Sequence, residues 1–251
     1  MKAFTEESKP RWWRIRFLQV MLPVVLLLIW HFAALRSPLV PAPLATLDAG
    51  WQPVASGEIW VSLINTIWPV IAGFAAAATI GTPLGMLLGR FETARRIAAP
   101  IITALFSIPR IVVYPVLMIA FGAGLSSKIW LAGIGAVFPI LLTTIAASRL
   151  VPERLIRMAR AFGCSPARIF WSVFLPACRP ALVAALRIGV SVAFVTVVIA
   201  EMFATDEGLG VVVQKAYALR QYDLMFGTVA QLTFIALIIH IAFGMFERRR
   251  Q

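Results

Sequence analysis

The chain has 251 residues, 61% of them hydrophobic and 14% charged, with a mean hydropathy of +0.89. Soluble domains average about 45–50% apolar and about 25% charged residues, so an ordinary water-soluble enzyme, a disordered tail and a disulfide-stapled secreted domain are all excluded. A formal charge of +12, from 23 Lys and Arg against 11 Asp and Glu, points in so apolar a chain to an integral membrane protein before a nucleic-acid binder.

Residues 1–16 read as a basic tail ahead of the first apolar run, Phe17–Leu35. Its length, Pro23 and the arginine directly after it (Arg36) favour a retained anchor over a cleaved signal peptide. A membrane helix needs about 20 mostly apolar residues. Five further runs qualify: Ile59–Gly89, Ile97–Phe121, Ile129–Ser148, Ala181–Phe203 and Met225–Phe246. The expected fold is therefore all-α and polytopic, with about six spans across residues 17–246 and a short tail at 247–251. Pro69, Pro83, Pro109, Pro115 and Pro139 lie inside the runs and predict bends.

Charge placement supplies the orientation. With the N-terminus inside, 17 of the 23 basic residues fall on the cytoplasmic side and four on the other, with Arg110 and Arg187 within spans. The positive-inside rule then puts both termini in the cytoplasm.

Gly81, Gly85 and Gly89 recur every four residues and lay a small-residue stripe along one helix face, which suits close packing against another helix. Three ionisable residues lie at or near membrane depth, namely Arg110, Arg187 and Glu201. Such residues normally face a cavity or a partner. Arg110, with Tyr114 on the same run, is the candidate contact for an anionic solute; the plainer readings are a snorkelling arginine or an ion pair with Glu201. Arg187, near the start of its run, is expected to reach the cytoplasmic interface. Glu201, Asp206, Glu207 and Asp223 form an acidic outer patch that either meets an external protein or is simply solvated.

The long inner loop, residues 149–180, reads as two short helices. Pro152 suits a first helical position, Gly163 a left-handed residue after a helix end, and Ser165-Pro166 a helix start, with Pro176 as the stop. Such a hairpin either lies on the lipid interface or docks a cytoplasmic partner. Arg154, Arg157 and Arg160 give it a basic stripe for anionic headgroups or an acidic groove. No phosphate-cradling glycine loop with a following Lys-Ser/Thr is present, so the chain is expected to carry no ATPase. Cys164, Cys178, His31 and His240 are too few and too scattered for a metal site.

Arg157-Met158-Ala159-Arg160-Ala161-Phe162-Gly163, followed after nine residues by Val173-Phe174-Leu175-Pro176, resembles the EAA loop of binding-protein-dependent ABC importer permeases. Ala159, Gly163, Leu175 and Pro176 match that pattern, whereas Arg157 and Met158 replace its Glu and first Ala. Ile80–Gly85, Leu88-Gly89, Ile108-Pro109, Phe121–Gly124, Ser127–Ile129, Leu186–Gly189, Ala200–Met202 and Gly208–Gly210 resemble the nitrate/sulfonate/taurine-type branch, over a core region of about residues 59–250.

The resemblance implies a type I ABC importer transmembrane domain in the bacterial inner membrane. Its hairpin, through Arg157, Ala159, Gly163, Cys164, Ser165, Leu175 and Pro176, would dock one of two ATPase subunits. The permease would act as a homodimer and receive a small anion from an external binding protein. It implies no bond chemistry and no cofactor in this chain, with ATP and Mg used by the ATPase. A self-contained secondary transporter or channel is the alternative, but no internal repeat supports it.

Overall fold

The computed structural model describes residues 12–149 and 151–248. The tail at 1–11, Leu150 in the inner loop and residues 249–251 of the C-terminal tail lie outside the described residues. All the regular structure described is helical: α1 (Trp12–Arg36), α2 (Pro43–Ser56), α3 (Ile59–Arg90), α4 (Glu92–Phe106), α5 (Arg110–Phe121), α6 (Leu125–Arg149), α7 (Glu153–Ala161), α8 (Pro166–Ile169), a π-helical turn (Phe170–Phe174), α9 (Leu175–Ala204), α10 (Leu209–Ala218) and α11 (Tyr222–Arg248). Five helical stretches are long and apolar enough to cross a membrane, or six if α4 and α5 form one broken span.

The centre is a three-helix core of α3, α6 and α9, and the α3–α6 contact is the most extensive. The glycine stripe explains its closeness. A Cβ at Gly81 would stand 3.1 Å from Ile140, one at Gly85 2.8 Å from Thr144, and one at Gly89 2.5 Å from Ser148. The partners advance by four residues in step with the glycines, so α3 and α6 run parallel. Gly73 extends the seam, where a Cβ would sit 2.6 Å from Ala132. α9 packs antiparallel to both: Gly189 receives Ile140, Gly135 lies against Thr196, and Cys178 faces Ala147. Val70, Ala136, Ile140, Ala193 and Val197 fill the space between.

The bend expected within the run 97–121 is present as a sharp break: α4 and α5 meet at 83°. Pro109 causes the break, because a proline disfavours helical backbone in the residue before it and gives up its own N–H. One expected feature is corrected: Pro176 does not stop a helix. The chain passes through the π-helical turn directly into α9, with Pro176 in the first turn of α9. Widening the turn by one residue gives room for a proline that cannot donate to the preceding turn.

α2 and α10 are additional to the expected spans. α2 ends at Gly57 (φ +87°) and packs on α11, where Gly50 and Gly227 bring the two backbones together and the Gln231 amide donates to the Gly50 carbonyl. α1 buries none of its apolar window within the described chain. It is held near Trp30, which stacks on Phe226 and donates to the Pro41 carbonyl at 3.1 Å.

Candidate functional site

The hairpin is built from α7, α8 and the π-helical turn. α7 ends in a Schellman motif: Cys164 N–H donates to Ala159 O at 3.0 Å and Gly163 N–H to Arg160 O at 2.9 Å. Gly163 takes φ +73°, and nothing lies within 4 Å of where its Cβ would be. Ser165 caps α8 by accepting from Arg168 N–H at 3.3 Å, and Pro166 follows at the first position. Pro152 is the N-cap of α7, one residue ahead of its expected place.

One face of the hairpin is anchored. Ile156, Phe170 and Phe174 pack on Met86 near the end of α3, on Cys178 and Leu182 near the start of α9, and on Val151 just after α6. The other face is open, with Leu155, Met158, Phe162 and Trp171 exposed and Phe162 83% accessible. Between the hairpin and the α3–α4 turn lies a cavity of about 860 Å3, whose wall includes Arg90, Arg95, Arg149, Arg157 and Arg160 against Glu92 and Glu153. Arg157 stands 3.8 Å from Glu153, with both side chains largely exposed.

At the opposite end of the core, Lys128 of α6 and Glu201 of α9 form an ion pair at 3.1 Å, with only 4% and 1% of the two residues exposed. The Lys128 ammonium has three N–H donors, and three oxygens receive them: Glu201 Oε1, Asn65 O and Glu207 O, at 3.0–3.1 Å. Glu201 also accepts from Thr66 Oγ1 at 2.8 Å and from the N–H of Gly210, near the start of α10, at 3.0 Å. The Thr66 hydroxyl in turn accepts from Leu209 N–H at 2.9 Å. Gly208, at φ +129°, makes this close approach possible, since a Cβ there would fall 2.2 Å from the Glu201 carboxyl. Asn65 adds a 2.7 Å bond to Glu207. The cluster ties α3, α6, α9 and α10 together, with Lys128, Glu201 and Thr66 buried and the Asn65–Glu207 bond at its exposed edge.

A third feature is a cavity of about 450 Å3 between α5, α9 and α11, which Arg110, Arg187 and His240 help to line. The Arg110 side chain passes beside Gly135 of α6, where a Cβ would be in ordinary contact with Arg110 Cδ at 3.5 Å. The Arg110 guanidinium lies 5.2 Å from the centre of the Phe106 ring.

A polytopic helical bundle with an inserted two-helix loop matches one known family in particular. Residues 81–251 match the family described as the binding-protein-dependent transport system inner membrane component. The chain belongs to this family. Among relatives of this permease, the taurine transport system permease protein TauC of Escherichia coli (strain K12) is 32% identical over 91% of this chain and 86% of its own length. The putative aliphatic sulfonates transport permease protein SsuC of the same organism is 27% identical over 94% and 91%. The riboflavin transport system permease protein RibX of Chloroflexus aurantiacus is 31% identical over 90% and 87%. The fold is that of a chain in inward-facing structures of the MetNI methionine ABC transporter, with a TM-score of 0.66 over 77% of this permease and 98% of that chain at 23% identity.

The permease keeps the expected hairpin residues together. Arg157, Ala159, Gly163, Cys164 and Ser165 lie on α7 and the turn after it, and Leu175 and Pro176 open α9. Of the three membrane-depth residues, Glu201 stands apart from Arg110 and Arg187. Glu201 pairs with Lys128, so it neither pairs with Arg110 nor joins Asp206, Glu207 and Asp223 in an exposed patch. Tyr114 is 1% exposed and packs among Leu117, Leu131 and Ala200, away from the lining of the Arg110 cavity. Arg187 lies 12 residues into α9, about 18 Å from its start, and faces the same cavity as Arg110. The sequence reading missed Lys128 and Thr66 as partners of Glu201. A lysine opening an apolar run and a glutamate closing another were the available signal.

Proposed function

We propose that this permease is the membrane-crossing subunit of an ATP-driven importer, in which two copies of the chain enclose the pathway and two separate ATPase subunits grip the hairpins. The observation that carries the reading is the hairpin itself. Its exposed Leu155, Met158 and Phe162 offer an apolar face to a partner, and its buried face is fastened to Met86 and Leu182. Because the π-helical turn runs into α9 without a loop, a displacement of the hairpin is handed to a core helix. The basic excess favours this end in the cytoplasm of a bacterial inner membrane, together with both termini.

Relatives named for taurine and aliphatic sulfonates support a small anionic solute, delivered by an external binding protein. The relative named for riboflavin, at similar identity, means that overall likeness alone does not choose the solute. On this reading ATP and Mg are used by the ATPase, and this chain makes and breaks no bond. Reconstitution with and without the ATPase tests the assignment. Solute uptake is expected only with the ATPase, ATP and a loaded binding protein. Uptake in ATPase-free proteoliposomes would identify a self-contained transporter instead.

A further inference from the structure

The cavity between α5, α9 and α11 gathers cations where a membrane protein normally avoids them. Arg110 and Arg187 both line it, His240 adds an imidazole, and none of its lining residues carries a carboxylate. The carboxylate that the sequence offers to Arg110, Glu201, is taken by Lys128 at 3.1 Å. Phe106 stacks against the Arg110 charge at 5.2 Å but supplies no oxygen for its N–H donors. A membrane-depth arginine costs on the order of 3 kcal/mol or more unless a partner or cavity receives it.

The remaining wall is aliphatic, from Ile188, Val192 and Val195. The space, of about 450 Å3, is a groove open along α9, where Ile188 and Val195 are 44% and 55% exposed.

We propose that this cavity is the permease's own solute site, and that it takes a small organic oxyanion with a short apolar body. Arg110 holds the oxyanion through its in-plane N–H donors. Arg187 already takes part in another interaction, and it contributes charge to the same wall. His240 offers an N–H, and the aliphatic side chains of α9 receive the body. A bare inorganic anion leaves that aliphatic wall unused, so the site discriminates in favour of an alkyl oxyanion.

The inference rests on the permease assignment and is tested apart from it. Binding of radiolabelled methanesulfonate is measured on the purified permease–ATPase complex in nanodiscs, without binding protein. Wild type is expected to bind saturably, with competition by ethanesulfonate stronger than by nitrate and none by choline. Arg110→Gln weakens binding about tenfold or more, Arg187→Gln weakens it less, and Arg187→Lys retains it. If Arg110→Gln does not assemble, the Arg187 pair carries the comparison. Absence of saturable binding in wild type, equal affinity in the assembled glutamine variants, or equal competition by nitrate would each overturn the proposal. Failure of the wild-type permease to associate with an ATPase would contradict the functional assignment instead, whatever the methanesulfonate result.

Discussion

The two ends of the α3–α6–α9 core are built on opposite plans. At one, Lys128 and Glu201 are buried and each finds its partners inside the chain. At the other, arginines and large apolar side chains stand exposed on a hairpin that is anchored along one face only. A buried pair with complete partners fixes how helices meet, because losing either member strands a charge. An exposed apolar and basic face does little for the isolated chain, and its composition is explained by what it meets. The difference separates the part of the permease that holds shape from the part that receives a partner.

The largest effect is expected from breaking the closed end. Lys128→Met leaves Glu201 buried without its counter-ion, and should cost about 3–5 kcal/mol, read as a lowered thermal midpoint or loss of folded protein in detergent. Adding Glu201→Leu should restore part of that loss. A double variant no better than the single one would show that the ion pair is not what organises this end. Gly208→Ala comes next. The φ of +129° and the 2.2 Å approach to Glu201 predict a cost of at least about 1–3 kcal/mol from the backbone alone.

Along the seam between the two ends, Gly85→Ala drives a Cβ to 2.8 Å from Thr144 and should cost about 1–3 kcal/mol by overpacking. An unchanged unfolding midpoint would mean that α3 and α6 are not so closely apposed. The smallest stability effect belongs to the open end. Arg157→Ala removes an exposed 3.8 Å pair and should shift stability by less than about 1 kcal/mol, while lowering affinity for the ATPase in a pull-down titration.

The ends also differ in how far the sequence discloses them. The hairpin is local: Gly163, Ser165 and Pro166 each act within a few residues through backbone rules, so its turn and second helix start were legible. The glycine stripe was legible as a packing face for the same reason, although its partner helix was not. The Lys128–Glu201 pair joins residues 73 apart in the chain, and no periodicity links them. Sequence reading therefore offered Arg110 as one alternative partner for Glu201 and missed Lys128. Pro109 marked a bend, but its size of 83° was not legible, because hydropathy records burial in the membrane and not direction. Pro176 misled for the converse reason, since a stop signal was absorbed by the π-helical turn. α2 and α10 are too short to register as spans, and they owe their places to Gly50–Gly227 packing and to the Glu201 carboxylate at the start of α10.

Gly163→Asp tests the division most directly. The substitution faces open space, so its stability cost is limited to the left-handed backbone, about 1–2 kcal/mol, while a charge is placed on the turn proposed to meet the ATPase. Uptake and ATP hydrolysis are measured together in proteoliposomes containing permease, ATPase and loaded binding protein. The account predicts a folded, membrane-inserted variant in which uptake is lost and hydrolysis no longer responds to the binding protein. Normal uptake with normally stimulated hydrolysis would contradict the hairpin's role as the docking element.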